Sequence, residues 1–172
     1  MCKSFTVLLC VLFTFSQQAD AQTNTLKTPT LSANVNDLES LFTDAQKGQL
    51  DSACIMFAYK TNIPVAIITF GSANTTKENA NNFTQQTDSL MFENSSSVDV
   101  AIFLSKEFRV LNFKANTPFD SDTSKIGDWK TRIQQAFTAS VQPHISLLKE
   151  GKYAEAIVAI LSELSAAVKK EF

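Results

Sequence analysis

Two short segments constrain the fold of this chain more than any others. Ile63-Pro64-Val65-Ala66-Ile67-Ile68-Thr69-Phe70 and Val98-Asp99-Val100-Ala101-Ile102-Phe103-Leu104 are nearly unbroken apolar runs, rich in β-branched residues. A strand with one wet face alternates apolar and polar side chains, whereas a continuous run of this length reads as a strand covered on both faces. Pro64 fits because it stands at the strand's beginning. Helices must therefore flank the sheet on both sides, and the remaining sequence supplies them.

Thr43-Asp44-Ala45-Gln46 has the form of a capping box, and Leu50, Cys54, Phe57 and Ala58 follow at helical spacing. This predicts a first helix over about 44–60, closed by Thr61-Asn62. Thr75-Thr76-Lys77-Glu78 has the same form. Ala80, Phe83, Thr87, Leu90 and Met91 then mark one face of a second helix, broken by Asn94-Ser95-Ser96-Ser97. After the second apolar run, Ser105-Lys106-Glu107 turns the chain into Phe108–Phe113 as a hairpin partner. Phe108, Val110 and Asn112 should face one way, and Arg109, Leu111 and Phe113 the other.

Ile126, Trp129, Ile133, Phe137 and Val141 recur at steps of three and four, defining a third helix stopped by Pro143. Tyr153, Ile157, Ile160, Leu161, Leu164 and Val168 define a fourth, with Lys169 and Lys170 where cations suit the helix dipole. The expected order is helix, strand, helix, strand, strand, helix, helix. The expected fold class is α/β, a three-layer α/β/α sandwich around a small mixed β-sheet.

The chain opens with Lys3, an apolar stretch from Phe5 to Phe15 and Ala19-Asp20-Ala21, the pattern of a cleaved secretory signal over residues 1–21. The stretch is shorter than the roughly 20 residues needed to span a bilayer. Residues 22–34 are polar and without periodicity, a flexible lead-in to a domain over 35–172. No later run is long enough to span, so no transmembrane segment is expected after cleavage, and the expected location is periplasmic or secreted. Asn74, Asn82 and Asn94 begin glycosylation sequons, which would matter only in a eukaryotic secretory route. Cys54 is the one cysteine of the mature chain, which excludes an intramolecular disulfide. With a formal charge of −2 and no cationic cluster beyond Lys169-Lys170, the chain carries no footprint for nucleic acid.

Val35-x-Asp37 before the first helix, the run from Ile63 to Phe70, the run from Val98 to Leu104 with Arg109 in the hairpin, and Gly151-x-Tyr153-x-x-Ala156 occur in an order that resembles the TPM domain family. That family includes a thylakoid-lumen acid phosphatase and bacterial periplasmic domains. The resemblance spans about residues 35–168. It implies an α/β/α fold and, in members with an intact site, a divalent metal such as calcium or magnesium serving a phosphatase. Such members have an Asp-Asn-Gly-like turn before a strand and a Gly-x-Gly-x-Glu-like segment after the hairpin. Here the first has become Ser97-Val98-Asp99 and the second Phe113-Lys114-Ala115-Asn116-Thr117, with neither glycine nor acid. The metal residues carried over are Asp37 and, displaced by one or two positions, Asp99.

Read from the residues alone, Asp37 is either a hard-cation ligand at a sheet end or a turn residue ahead of a helix, and Asp99 either a ligand or a solvated edge carboxylate. Asp120-x-Asp122-x-Ser124 lacks the glycine and glutamate that complete a calcium loop and reads as helix capping. Cys54 on an apolar helix face reads as core, and His144 is the sole histidine. No P-loop, G-x-S-x-G or H-E-x-x-H segment occurs. The expectation is a TPM-like domain with a degenerate metal or phosphatase site and no assigned catalytic residue, acting as a binding or assembly module for a protein partner in the cell envelope. The alternative is a divalent-metal-dependent acid phosphatase.

Overall fold

The computed structural model describes residues 34–94, 98–115 and 123–171. Residues 1–33, where the sequence places a secretory signal and lead-in, and the Asp120–Asp122 pair lie outside them. Four strands form one sheet in the order β1-β2-β3-β4: β1 (Val35–Asp37), β2 (Val65–Thr69), β3 (Val100–Ser105) and β4 (Val110–Ala115). The first three are parallel and β4 returns antiparallel from β3, so the sheet is mixed as expected. Every residue of β2 and β3 is buried.

Alternation along these strands divides the core in two. Val65, Ile67, Val100, Ile102 and Leu104 pack on one face with helices α1 (Asp44–Thr61), α3 (Thr123–Val141) and α5 (Tyr153–Glu171). Ala66, Ile68, Phe70, Ala101 and Phe103 pack on the other with Ala80 and Phe83 of α2 (Ala80–Asn94). The result is the α/β/α sandwich. In the hairpin, Leu111 and Phe113 join the first core and Val110 the second, as expected. The strand begins only at Val110, whereas Phe108 and Arg109 lie in the turn, Phe108 still packing on the second core. Phe113 stacks on Phe137 at 4.3 Å between ring centroids, fastening β4 to α3, and Phe70 meets Phe83 at 5.0 Å, fastening the sheet to α2.

α1 begins as its sequence requires. Gln46 N–H donates to Thr43 Oγ1 at 3.3 Å while Gln46 Oε1 accepts from Thr43 N–H at 2.9 Å, and the helix ends on Asn62 in the left-handed region with φ 56°. The second capping box does not form. Residues 77–79 make a turn and the helix starts at Ala80, while the Glu78 carboxyl accepts from its own backbone and from the Thr76 hydroxyl, which holds it below the usual carboxylate range.

Two elements depart from the sequence reading. β1 precedes the first helix, where Val35–Asp37 was read as part of no strand; three residues give no periodicity to detect. A five-residue helix, α4 (Ile145–Lys149), follows a 3-10 turn at Gln142–His144. It ends at Gly151 with φ 77°, where Lys152 N–H returns to Leu147 O at 2.9 Å, and α5 can then start. Glycine takes that left-handed position without the strain a Cβ adds.

Because strand order runs straight across the sheet while α1 and α2 lie on opposite faces, the two β-α-β connections have opposite hands, so one departs from the usual right-handed rule. The chain leaves the carboxyl ends of β1 and β2 toward opposite faces. In open α/β sheets that divergence is where a crevice for ligands opens.

Candidate functional site

Asp37 ends β1 at this divergence, beside Thr69 at the end of β2. Its side chain is 3 % exposed. Oδ1 accepts from Leu41 N–H at 2.9 Å and from Thr69 Oγ1 at 2.6 Å, and Oδ2 accepts from Phe42 N–H at 2.9 Å, with Lys47 Nζ 3.8 Å away. A carboxylate offers about four lone-pair sites, so three donors and a nearby cation leave little of it for anything else. The Thr69 hydroxyl, in donating to Asp37, accepts in turn from Glu39 N–H at 3.0 Å.

Two further carboxylates extend the arrangement across the sheet edge. Glu39 accepts from Lys106 N–H at 3.0 Å and from Glu107 N–H at 2.9 Å, and Glu107 Oε2 accepts from Ser72 N–H at 2.7 Å. The loops after β1, β2 and β3 are thereby tied to one another by carboxylates bonded to backbone N–H groups. Gly71 makes room for them: a Cβ there would stand 2.9 Å from Glu107 Oε2 and 3.3 Å from Glu39 Cγ. The divergence between β1 and β2 is thus filled by the protein's own acids.

Asp99 is elsewhere. It precedes β3, its N–H bonding Pro64 O at the amino end of β2. The register sets Leu104 beside Thr69 and Thr69 beside Asp37, so Asp99 lies five residues back, about 17 Å along the strand direction. Ligands of one calcium or magnesium ion stand within about 2.6 Å of it, so Asp37 and Asp99 cannot share an ion in this arrangement. Burial pushes the Asp99 carboxyl above its ordinary value. Among the described residues no group of three or more His, Cys, Asp or Glu converges as a metal cage.

A Cys–His pair is likewise not assembled. Cys54 is buried in the core of α1, where desolvation, with the Asp51 carboxylate adding, pushes its thiol up to about 12. An attacking thiolate needs the opposite shift. His144 Nε2 is 2.9 Å from Glu163 Oε1 on α5.

Thr69, Glu39, Glu107 and Gly71 were not singled out from the sequence. They come from three separate loops, and only the strand order brings them together. The fold and this edge define a class: an α/β/α domain whose sheet-end carboxylates are engaged by the loops around them.

Comparison with solved structures agrees with the fold. The chain is similar to the N-terminal domain of the cg2496 protein from Corynebacterium glutamicum, solved in solution by NMR, with a TM-score of 0.50 and 13 % identity over 81 % of this chain and 83 % of that one. At that identity the likeness is one of fold. No family model matches the sequence, and no curated protein does.

Proposed function

We propose that this chain is a divergent TPM-like domain, exported to the periplasm or beyond, that works as a binding or assembly module and has turned its ancestral metal position into a structural clip. One observation carries the reading: the Asp37 carboxylate, the acid best matched to the family's pattern, is 3 % exposed with both oxygens bonded to Leu41, Phe42 and Thr69. A metal would have to displace those donors, leaving two backbone N–H groups beside a cation. The sequence between Phe113 and Thr117, without acid or glycine, offers no replacement carboxylate. For a protein partner, α1 supplies apolar surface. Ile55, Met56 and Tyr59 are large and exposed, Tyr59 to 84 %, which suits an interaction face in an exported module.

The test uses protein expressed with its own leader and recovered from the envelope or medium, where the mature chain should begin at Gln22. Amide NMR is then followed through calcium and magnesium titrations, with an aryl-phosphate turnover assay alongside. The Leu41 and Phe42 amide resonances are expected to stay in place, and turnover to be independent of metal. Saturable shifts at those two amides together with metal-dependent turnover would establish the phosphatase reading instead. A chain that keeps its leader and stays inside the cell would remove the export half of the proposal.

A further inference from the structure

The same end of the sheet carries a second feature on its β4 side. The β3–β4 hairpin and the corner between α4 and α5 enclose a cavity of 660 Å³. Lys106, Arg109 and Lys149 line it and are exposed, while Val110, Leu111, Ile145, Leu148 and Tyr153 line it half-buried. No carboxylate lines it, in a chain where acids outnumber lysines and arginines by 17 to 15. None of the three cationic groups is held in an ion pair or a side-chain hydrogen bond among the described residues.

Arg109 adds an independent observation. It is the last residue of the four-residue turn between the paired Ser105 and Val110, and its φ is 57°. Glycine or asparagine takes that conformation at lower cost, so an arginine there is a strained choice. Strain of this kind persists where a side chain is wanted in a particular place, and here the place is the cavity's edge.

We propose that this cavity binds small organic anions, a carboxylate or phosphate head on an apolar body. The planar guanidinium of Arg109 suits a bidentate hold on either head, and Lys106 and Lys149 add charge that needs no fixed geometry. The apolar wall from β4, α4 and Tyr153 takes the body, and the cavity's volume lies within the range of small-molecule sites. The proposal does not rest on the fate of Asp37, which is not among the residues lining this cavity.

The experiment titrates the mature protein, followed by amide NMR, with 4-phenylbutyrate and phenylphosphonate as the two anionic heads. 4-Phenylbutanol serves as a neutral body and inorganic phosphate as a head without one. At least one anionic probe should give saturable shifts confined to residues 104–111 and 145–153, about tenfold or more tighter than the alcohol or phosphate and weakened by added salt. Arg109→Gly should lose about tenfold or more in affinity while its melting temperature rises, because glycine relieves the strained turn. Lys149→Gln should weaken binding with the melting temperature unchanged. Equal binding of the alcohol, shifts scattered outside the cavity, or an Arg109→Gly protein that binds as well as the parent would each overturn the proposal.

Discussion

At the scale of single residues, Asp37 shows how a buried carboxylate at a strand end can tie a loop to the sheet. Its acceptors satisfy two N–H groups that precede α1, where no intrahelical partner exists, and the buried Thr69 hydroxyl. Removing the carboxylate strands those donors, and a buried donor without a partner costs about 1–3 kcal/mol. Asp37→Ala should therefore lower stability by about 3 kcal/mol in chemical denaturation, and Thr69→Val by about 1–2 kcal/mol. The double variant should cost less than the sum, because each change removes the same 2.6 Å hydrogen bond. An Asp37→Ala protein as stable as the parent would mean the carboxylate is kept for something other than the loop. The identity of Asp37 was legible in the sequence and its partners were not. Thr69 closes an apolar run and reads as strand, and Glu39 and Glu107 sit in polar loops where acids are ordinary. Asp99 is the converse case, close to a motif by position in the chain and at the opposite end of the strands from Asp37 in space.

Among the elements, those built from local chemistry were the legible ones. The apolar runs of β2 and β3 fixed a two-sided sheet, and the steps of three and four in α1, α3 and α5 placed the helices that cover it. β1 escaped because its strand character comes from pairing with Ile67–Thr69 rather than from Val-Asn-Asp itself. The two capping boxes separate local preference from tertiary outcome. Both have the same residue pattern, yet only Thr43 closes its box, since Asn74 N–H and Thr75 N–H turn back to Gly71 O and carry the chain around the sheet edge before α2 begins. Thr43→Ala should cost about 1 kcal/mol. Glu78→Ala removes a carboxyl that lies in solvent, bonds only to its own turn and caps no helix start, so it should cost less than Thr43→Ala. A comparable loss at Glu78 would show that the second box forms in solution.

For the whole molecule, the division of the core into two clusters decides how the fold should come apart. One face of the sheet is covered by α1, α3 and α5, with α1 and α5 packed along each other and Ile157, Ile160, Leu161 and Leu164 inside. The other face has, among the described residues, Ala80 and Phe83 of α2 over Ala66, Ile68, Phe70, Ala101 and Phe103. A layer with its own apolar cluster can open at lower free energy than the global transition and do so as a unit. Phe83 is fully buried in that layer and contacts Phe70 at 5.0 Å, so Phe83→Ala should weaken the α2 layer first, with a cost of about 3–5 kcal/mol if the vacated space stays unfilled. Native-state hydrogen exchange should then show α2 amides exchanging through a local opening while β2, β3 and α5 retain the slowest rates, and the exposed sheet face should bind an apolar dye. Ile157→Ala, on the opposite face of the sheet, should instead lower protection in α1, α5 and the strands together. If both variants lose protection everywhere to the same extent, the sheet couples its two faces into a single cooperative unit. The divergence at the ends of β1 and β2 could not then open without unfolding the domain, so a ligand could enter there only by competing with the whole fold.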